Sequence, residues 1–327
     1  MRGILKKYGI YGVFIVIALF FSFMSKAFFS VSNLVNVARQ VSMLGIAAVG
    51  MTFVLLLGGI DLSIGSQVTF VNVIGALLMA RMGFSPLFST IIVLIMSTLV
   101  GAFNGIMVSK IKIPPLIVTM ASMSILEGLA FIISGGLPIF GFPESFSFLG
   151  QGYLGPIPVP VVIMIVILAI GSFVLNRTYF GRYFYAVGGN EEAAMLSGIG
   201  VDRVKILAYT LSGLIAGIAG VVMLSRTNSG QPLAGKGFEF QVLTAVVLGG
   251  VSVNGGSGRI SNVVAGVLII GVLNNGLLLM KVSSYAQMVA MGAVLMLAVG
   301  IDCLQKNRQD KKVRVTVQHL AATDINE

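Results

Sequence analysis

Apolar residues fall in ten runs separated by short polar or glycine-rich breaks: 9–25, 41–58, 64–81, 86–108, 115–134, 158–175, 205–225, 240–253, 261–280 and 284–302. A helix needs about 20 apolar residues to cross the hydrocarbon core of a bilayer. The runs therefore predict an all-α polytopic membrane protein of about ten transmembrane helices. The eighth run is short for a crossing and reads as a half-helix or re-entrant piece, tolerated only where it is buried in protein or lines a cavity. Nine spans is the rival count. The stretch 135–157, with Gly135, Gly136, Pro138, Pro143 and Pro156, predicts irregular structure over one face. Gly101/Gly105 and Gly213/Gly217/Gly220 recur at spacings that let helix backbones approach closely.

Composition supports the membrane reading. Residues AVILMFWYC make up 57% of the 327 residues and charged residues only 10%, where soluble domains carry about 25% charge. Disorder needs low hydrophobicity and high charge, and is excluded. One cysteine, Cys303, and one histidine, His319, exclude a disulfide scaffold and a Cys/His zinc centre. Cys303 is expected as a small buried residue, and His319 as solvated in a polar tail.

The formal charge of +10 is spread between the apolar runs rather than along one stripe, which is how topology charges are placed. With the N-terminus inside, 15 Lys and Arg fall in cytoplasmic segments and 6 in external ones. The expected arrangement is a transmembrane domain over 1–304 with a long cytoplasmic loop at 176–204, and a polar cytoplasmic tail over 305–327. Arg2, Lys6 and Lys7 before the first run mimic a secretory signal, but no small-residue cleavage site follows.

Catalytic chemistry is missing from the motifs. The glycine-rich run Gly249–Arg259, GGVSVNGGSGR, lacks the Lys-Ser/Thr of a phosphate loop and reads as a tight turn at a membrane face. No paired carboxylates, HExxH or Ser–His and Cys–His pairing appears. Ion-coupled carriers usually hold ionisable residues within their spans. The acids near membrane depth here are few: Asp61, Glu127, Glu239 and Asp302. A translocator driven by a separate ATPase needs none, but needs a cytoplasmic docking element.

The loop at 176–204 offers one. Asn190 is placed to cap a short helix, with Glu191 and Glu192 in its first turn and Gly198 where it stops. Ala193, Ala194, Ser197 and Gly198 leave little bulk against a partner's groove. The bland alternative is an ordinary surface helix.

In this setting the chain resembles the permease subunits of bacterial ribose/monosaccharide ABC importers. The resemblance covers roughly 25–302 and rests on motifs in the family's order: AVGMTFVLLLGGIDLSIGS (48–66), PPLIVTMASMSIL (114–126), FGRYFYAVGGNEEAAMLSGI (180–199), QPLAGKGFEF (231–240) and AVVLGGVSVNGGSGRI (245–260). It implies a multi-pass inner-membrane permease that pairs with a second permease copy, identical or not. ATPase domains, duplicated on one chain, would sit below it and hold the ATP and Mg. A periplasmic or lipid-anchored binding protein would deliver a sugar from above. The permease itself would hold no cofactor or metal and catalyse no reaction. Asn190, Glu191, Glu192, Ala193, Ala194 and Gly198 would form the ATPase-coupling helix. The sequence departs from the family at Glu127, where an arginine is common, and at Gln241, where an aspartate is frequent. Both leave the cargo open, with a nucleoside or sugar-like signalling molecule as the alternative and a secondary carrier as the rival class.

Polar residues at membrane depth are the candidate pathway or gate residues: Asp61, Ser63, Ser66, Asn72, Asn104, Thr119 and Asn274. For each, interhelical bonding competes with a place on the pathway. Asp61 is expected to cap the helix opening at Ser63.

Overall fold

The computed structural model describes residues 2–324, with side chains over 10–304. Its helices in chain order are α1 (Arg2–Met24), α2 (Val31–Leu56), α3 (Ile64–Ala80), α4 (Pro86–Ser109), α5 (Pro115–Ser134), α6 (Phe148–Gln151), α7 (Val159–Arg177), α8 (Tyr179–Gly189), α9 (Glu191–Leu196), α10 (Val201–Thr227), α11 (Phe238–Leu248), α12 (Ile260–Leu279) and α13 (Ser284–Asp324). Each of the ten apolar runs lies on a helix. Among the described residues seven helices are long and apolar enough to cross a membrane, and Ile10–Met24, α3 and α11 are shorter apolar helices. The chain is therefore an all-α polytopic membrane protein. The side chains of the tail, His319 included, lie outside the described residues.

α2 starts well before its apolar run, at the Ser30 cap, whose hydroxyl accepts the Asn33 N–H. In the structure Arg39 lies on α2, donates to the Gln151 carbonyl at 2.6 Å and covers the Tyr153 ring. The 135–157 stretch is irregular as expected, with a 3-10 turn at Glu144–Ser147, α6 and a two-residue hairpin that pairs Tyr153 with Pro158 and Leu154 with Ile157.

Lipid tails give little hydrophobic reason for helices to associate, so close packing and buried polar bonds must do so. The glycine pairs supply the packing. A Cβ on Gly101 would strike the Tyr209 carbonyl and stand 3.0 Å from Gly213, and one on Gly217 would stand 3.0 Å from Ser97. α10 thereby lies backbone to backbone against α4, and with α2 and α3 it makes the centre of the bundle. α7 is peripheral: 22% of its apolar window is buried, against 89% for α2. Cys303 corrects the sequence reading, because it is exposed. α13 packs through Met291, Ala298 and Asp302, and Cys303 lies off that stripe.

The eighth run is a half-helix. Before α11 the chain runs without regular structure along α3, which supplies side chains to its backbone. Asn72 Oδ1 accepts the Gln231 N–H at 2.7 Å, and Thr69 Oγ1 accepts the Gly235 N–H at 2.8 Å. Unpaired peptide groups are costly at membrane depth, which is why side chains of α3 must substitute for helix bonds here. Asn72→Leu is expected to cost about 1–3 kcal/mol by orphaning that N–H. An unchanged thermal midpoint of the purified variant would contradict the assignment.

Candidate functional site

The segment between α7 and α10 folds as two helices rather than a loop. Thr178 caps α8 by accepting the Gly181 N–H. Asn190 then breaks the chain with φ −158° and caps α9, its Oδ1 accepting the Ala193 N–H at 2.9 Å. Glu191 and Glu192 lie in the first turn, where the helix dipole favours them. Gly198 stops the helix at φ +82°, in the left-handed region, with its own N–H on the Met195 carbonyl. Ala194 is buried, whereas Glu192, Ala193 and Gly198 are exposed. Glu191 is tied to α10 by an ion pair with Lys205 at 2.7 Å. Sequence reasoning overlooked the tip of this helix: Met195 is 60% and Leu196 83% exposed. Two large apolar side chains thus stand exposed beside an acidic turn.

Against α8 and the end of α2 lies the glycine-rich run 249–259, read from sequence as a tight turn. It is a turn, and it is also a bearing surface. The Gly256 N–H donates to the Leu56 carbonyl at 2.9 Å. A Cβ on Gly188 would collide with that carbonyl and stand 2.7 Å from the Gly256 nitrogen. One on Gly255 would stand 2.7 Å from the Gly58 nitrogen. Tyr185 of α8 donates its hydroxyl to the Gly258 carbonyl at 2.8 Å. Burial raises the pKa of that phenol more than the Arg259 charge lowers it, so it remains a donor. On the far side Asp302 of α13 accepts from the Val253 N–H and the Ser252 hydroxyl, both at 3.3 Å. Three chain segments thus meet through backbone.

The chain that leaves this bearing, Gly58 to Ser63, leads into a buried polar network. Asp61 is fully buried. One of its oxygens accepts from the Ser63 N–H at 3.1 Å and the Ser63 hydroxyl at 2.5 Å, and the other from the Ser212 hydroxyl at 2.8 Å. The expected capping is modified: Ser63 holds the cap position of α3 without a side-chain cap bond. Asp61 stands two residues earlier, so its carboxylate reaches only the Ser63 N–H and turns the rest of its capacity to α10. Ser63 Oγ accepts from Gln67 at 2.8 Å and from Asn104 at 3.0 Å. Asn104 Oδ1 accepts from the Ser122 hydroxyl, and Ser97 donates to Gln67 at 2.9 Å. Thr119 donates to the Ile60 carbonyl, and Ser66 to the Ser63 carbonyl. Five of the predicted pathway residues, Asp61, Ser63, Ser66, Asn104 and Thr119, therefore gather where α3, α4, α5 and α10 meet. Gln67, Ser97, Ser122 and Ser212 complete the network. They lie inside apolar runs, where single small polar residues give no distinguishing pattern.

The other two candidates lie elsewhere. Asn72 holds the segment before α11. Asn274 donates to Gln241 at 3.0 Å, and both line a cavity of about 170 Å³ with Gln40, Arg226 and Lys236. Asn275 makes a reciprocal amide pair with Asn33 at 2.8 and 2.9 Å, joining α12 to α2. Glu127 is half-buried and near enough to the buried Glu239 to interact with it electrostatically.

The structure is thus a bundle of apolar helices with one short helix, α11, a capped exposed helix, α9, and a buried polar junction, which fits a multi-pass membrane protein. The chain belongs to the family described as branched-chain amino acid transport system / permease component, whose model matches residues 33–299. It is 41% identical over 302 residues to the ribose import permease protein RbsC of Bacillus subtilis (strain 168), covering 92% of this chain and 94% of that one. The L-arabinose transport system permease protein AraH of Escherichia coli (strain K12) is 40% identical over 323 residues, covering 95% and 93%. The D-allose transport system permease protein AlsC of the same strain is 37% identical over 302 residues, covering 91% and 92%. No solved structure matches. The family resemblance drawn from the motifs is borne out.

Proposed function

We propose that this chain is the translocation subunit of an ATP-driven ABC importer for a monosaccharide. Ten helices cross or enter the inner membrane, with the termini, α8 and α9 on the cytoplasmic side and residues 305–327 forming a polar cytoplasmic tail. Two permease copies, identical or not, enclose the path. An ATPase carrying its own ATP and Mg docks on α9, and a binding protein delivers the sugar at the opposite face. The permease changes shape and makes or breaks no covalent bond of the cargo.

The observation that carries this reading is α9 itself. It is a capped helix that exposes Met195 and Leu196 and follows directly on α8, which lies on a bearing of backbone. Force applied to it passes through α8 into the end of α2, where the contact is backbone on backbone, and on to the Asp61 junction. That junction joins four helices by hydrogen bonds with few alternatives in a low-dielectric interior, which suits a gate with two discrete arrangements. The names of the relatives favour a sugar. So do the neutral amides of Gln40, Gln241 and Asn274, which match hydroxyl groups.

Proteoliposomes holding the permease with its ATPase and binding protein are expected to take up labelled ribose, arabinose or allose only with ATP at the α9 side. Vanadate should stop the uptake. Gly198→Asp should lower it at least tenfold with insertion unchanged, because a charged side chain then enters the docking groove. Uptake driven by a proton or sodium gradient without ATP would overturn the assignment.

A further inference from the structure

The cavity lined by Gln241 and Asn274 lies at the end of α10 remote from α9. α10 has 27 residues, so about 40 Å of helix at 1.5 Å per residue separates the two. Gln40, Arg226, Lys236, Gln241 and Asn274 are its polar lining, and the rest of the wall is apolar. No carboxylate is among them. Glu239, two residues from Gln241, lies instead against Gly65 of α3, where a Cβ would collide with its carboxylate.

The cations of this wall have no counter-ion. Both ion pairs among the described residues lie elsewhere, Lys110 with Asp202 and Lys205 with Glu191. Arg226 is partly buried, and the charge near enough to act on it is that of Arg39, which has the same sign. Gln151 holds the two arginines together: its carbonyl accepts from Arg39 at 2.6 Å, and its side-chain amide donates to the Arg226 carbonyl at 3.0 Å. Drawing cations out of water is costly unless an opposite charge meets them, and a like charge alongside adds to that cost. Lys236 is held in place through its neighbour, because the Gly235 N–H donates to Thr69 Oγ1. The amides bring a second kind of recognition. Asn274 spends an N–H on Gln241 Oε1. The Asn274 carbonyl and the Gln241 NH₂ then stand side by side, acceptor and donor, without a partner among the described residues. Unlike the sealed Arg39 Nε, they keep accessible surface.

We propose that this cavity receives an acidic monosaccharide, with its carboxylate between Arg226 and Lys236 and its hydroxyls on Gln40, Gln241 and Asn274. The planar fork of an arginine matches a carboxylate with two parallel hydrogen bonds, and an amide pair offers a hydroxyl both a donor and an acceptor. With a volume of about 170 Å³, the cavity is smaller than the roughly 300–1,000 Å³ of pockets that enclose a whole ligand. It therefore takes the charged end of the sugar and leaves the remainder outside. The inference rests on the transport reading for its direction. With α9 cytoplasmic, the cavity faces the side from which cargo is delivered, and it narrows that cargo to a sugar that carries a carboxylate.

Binding can be measured without transport, on the permease–ATPase complex in lipid nanodiscs, free of nucleotide and of binding protein. The probes are D-galacturonate with D-galactose, D-ribonate with D-ribose, D-ribose 5-phosphate and inorganic phosphate, followed by calorimetry. At least one sugar acid is expected to bind tenfold or more tighter than its neutral parent, and added salt should shrink the difference. Lys236→Gln, a change at an exposed position, should remove most of that preference, and Gln241→Asp should reverse it, with the thermal midpoint unchanged in both. A neutral sugar that binds as tightly as its acid, or a preference that survives both Lys236→Gln and Arg226→Gln, would overturn the site. Inorganic phosphate or the sugar phosphate binding tighter than either acid would overturn the choice of a carboxylate. No binding of any probe to a complex that imports normally would dismiss the site and leave the transport reading standing. Acid-selective binding that is lost in Lys236→Gln, in a complex that shows no ATP-driven uptake, would sustain the site and dismiss the transport reading.

Discussion

Gly188→Val is expected to abolish transport, with uptake falling at least 100-fold, while the chain still inserts and the partner ATPase still turns over. Position 188 has no room for a side chain, because a Cβ would collide with the Leu56 carbonyl and crowd the Gly256 nitrogen. Backbone cannot step aside as a flexible side chain can, so α8 must lift away from α2. The Gly256–Leu56 hydrogen bond is lost in the same movement. α9 then moves without moving the Asp61 junction. The neighbouring glycine is an internal control: a Cβ on Gly189 meets nothing within 4 Å, so Gly189→Ala should transport normally. Comparable uptake in the two variants would dismiss the bearing.

The second large effect is expected at Asp61. Asp61→Leu removes the acceptor for the Ser63 N–H and for the Ser63 and Ser212 hydroxyls. Each buried donor left without a partner costs about 1–3 kcal/mol. The sum approaches the whole stability of a typical protein, about 5–15 kcal/mol. The purified variant should unfold at markedly lower temperature or fail to accumulate. Asp61→Asn keeps one acceptor oxygen and should retain much of the loss, and Ser212→Ala removes a single bond and should cost about 1 kcal/mol. Asp61→Leu unfolding with the wild-type midpoint would show that the carboxylate does not hold the junction.

Much of this was legible in the chain because membrane helices announce themselves by length and apolarity. The ten runs, the close-packing glycines of α4 and α10, and the caps of α9 all follow from local rules. What escaped is long-range. Gln67, Ser97, Ser122 and Ser212 are single polar residues in apolar helices, and only the packing of four helices turns them into one network. Leu196 looked like any helix residue until its surroundings proved empty. Cys303 was misjudged because α13 packs through one narrow stripe.

The backing of α8, the helix that carries α9, by bare backbone also bears on how such machines exchange their motors. A surface made of peptide groups has no side-chain identity that a partner must match. On the proposed docking at α9, the features a motor reads are confined to a few exposed positions, Glu192, Ala193, Met195 and Leu196. These can be rewritten without touching the mechanism behind them. Grafting another permease's tip onto α9 should therefore redirect this chain to a different engine, leaving its choice of cargo as it was.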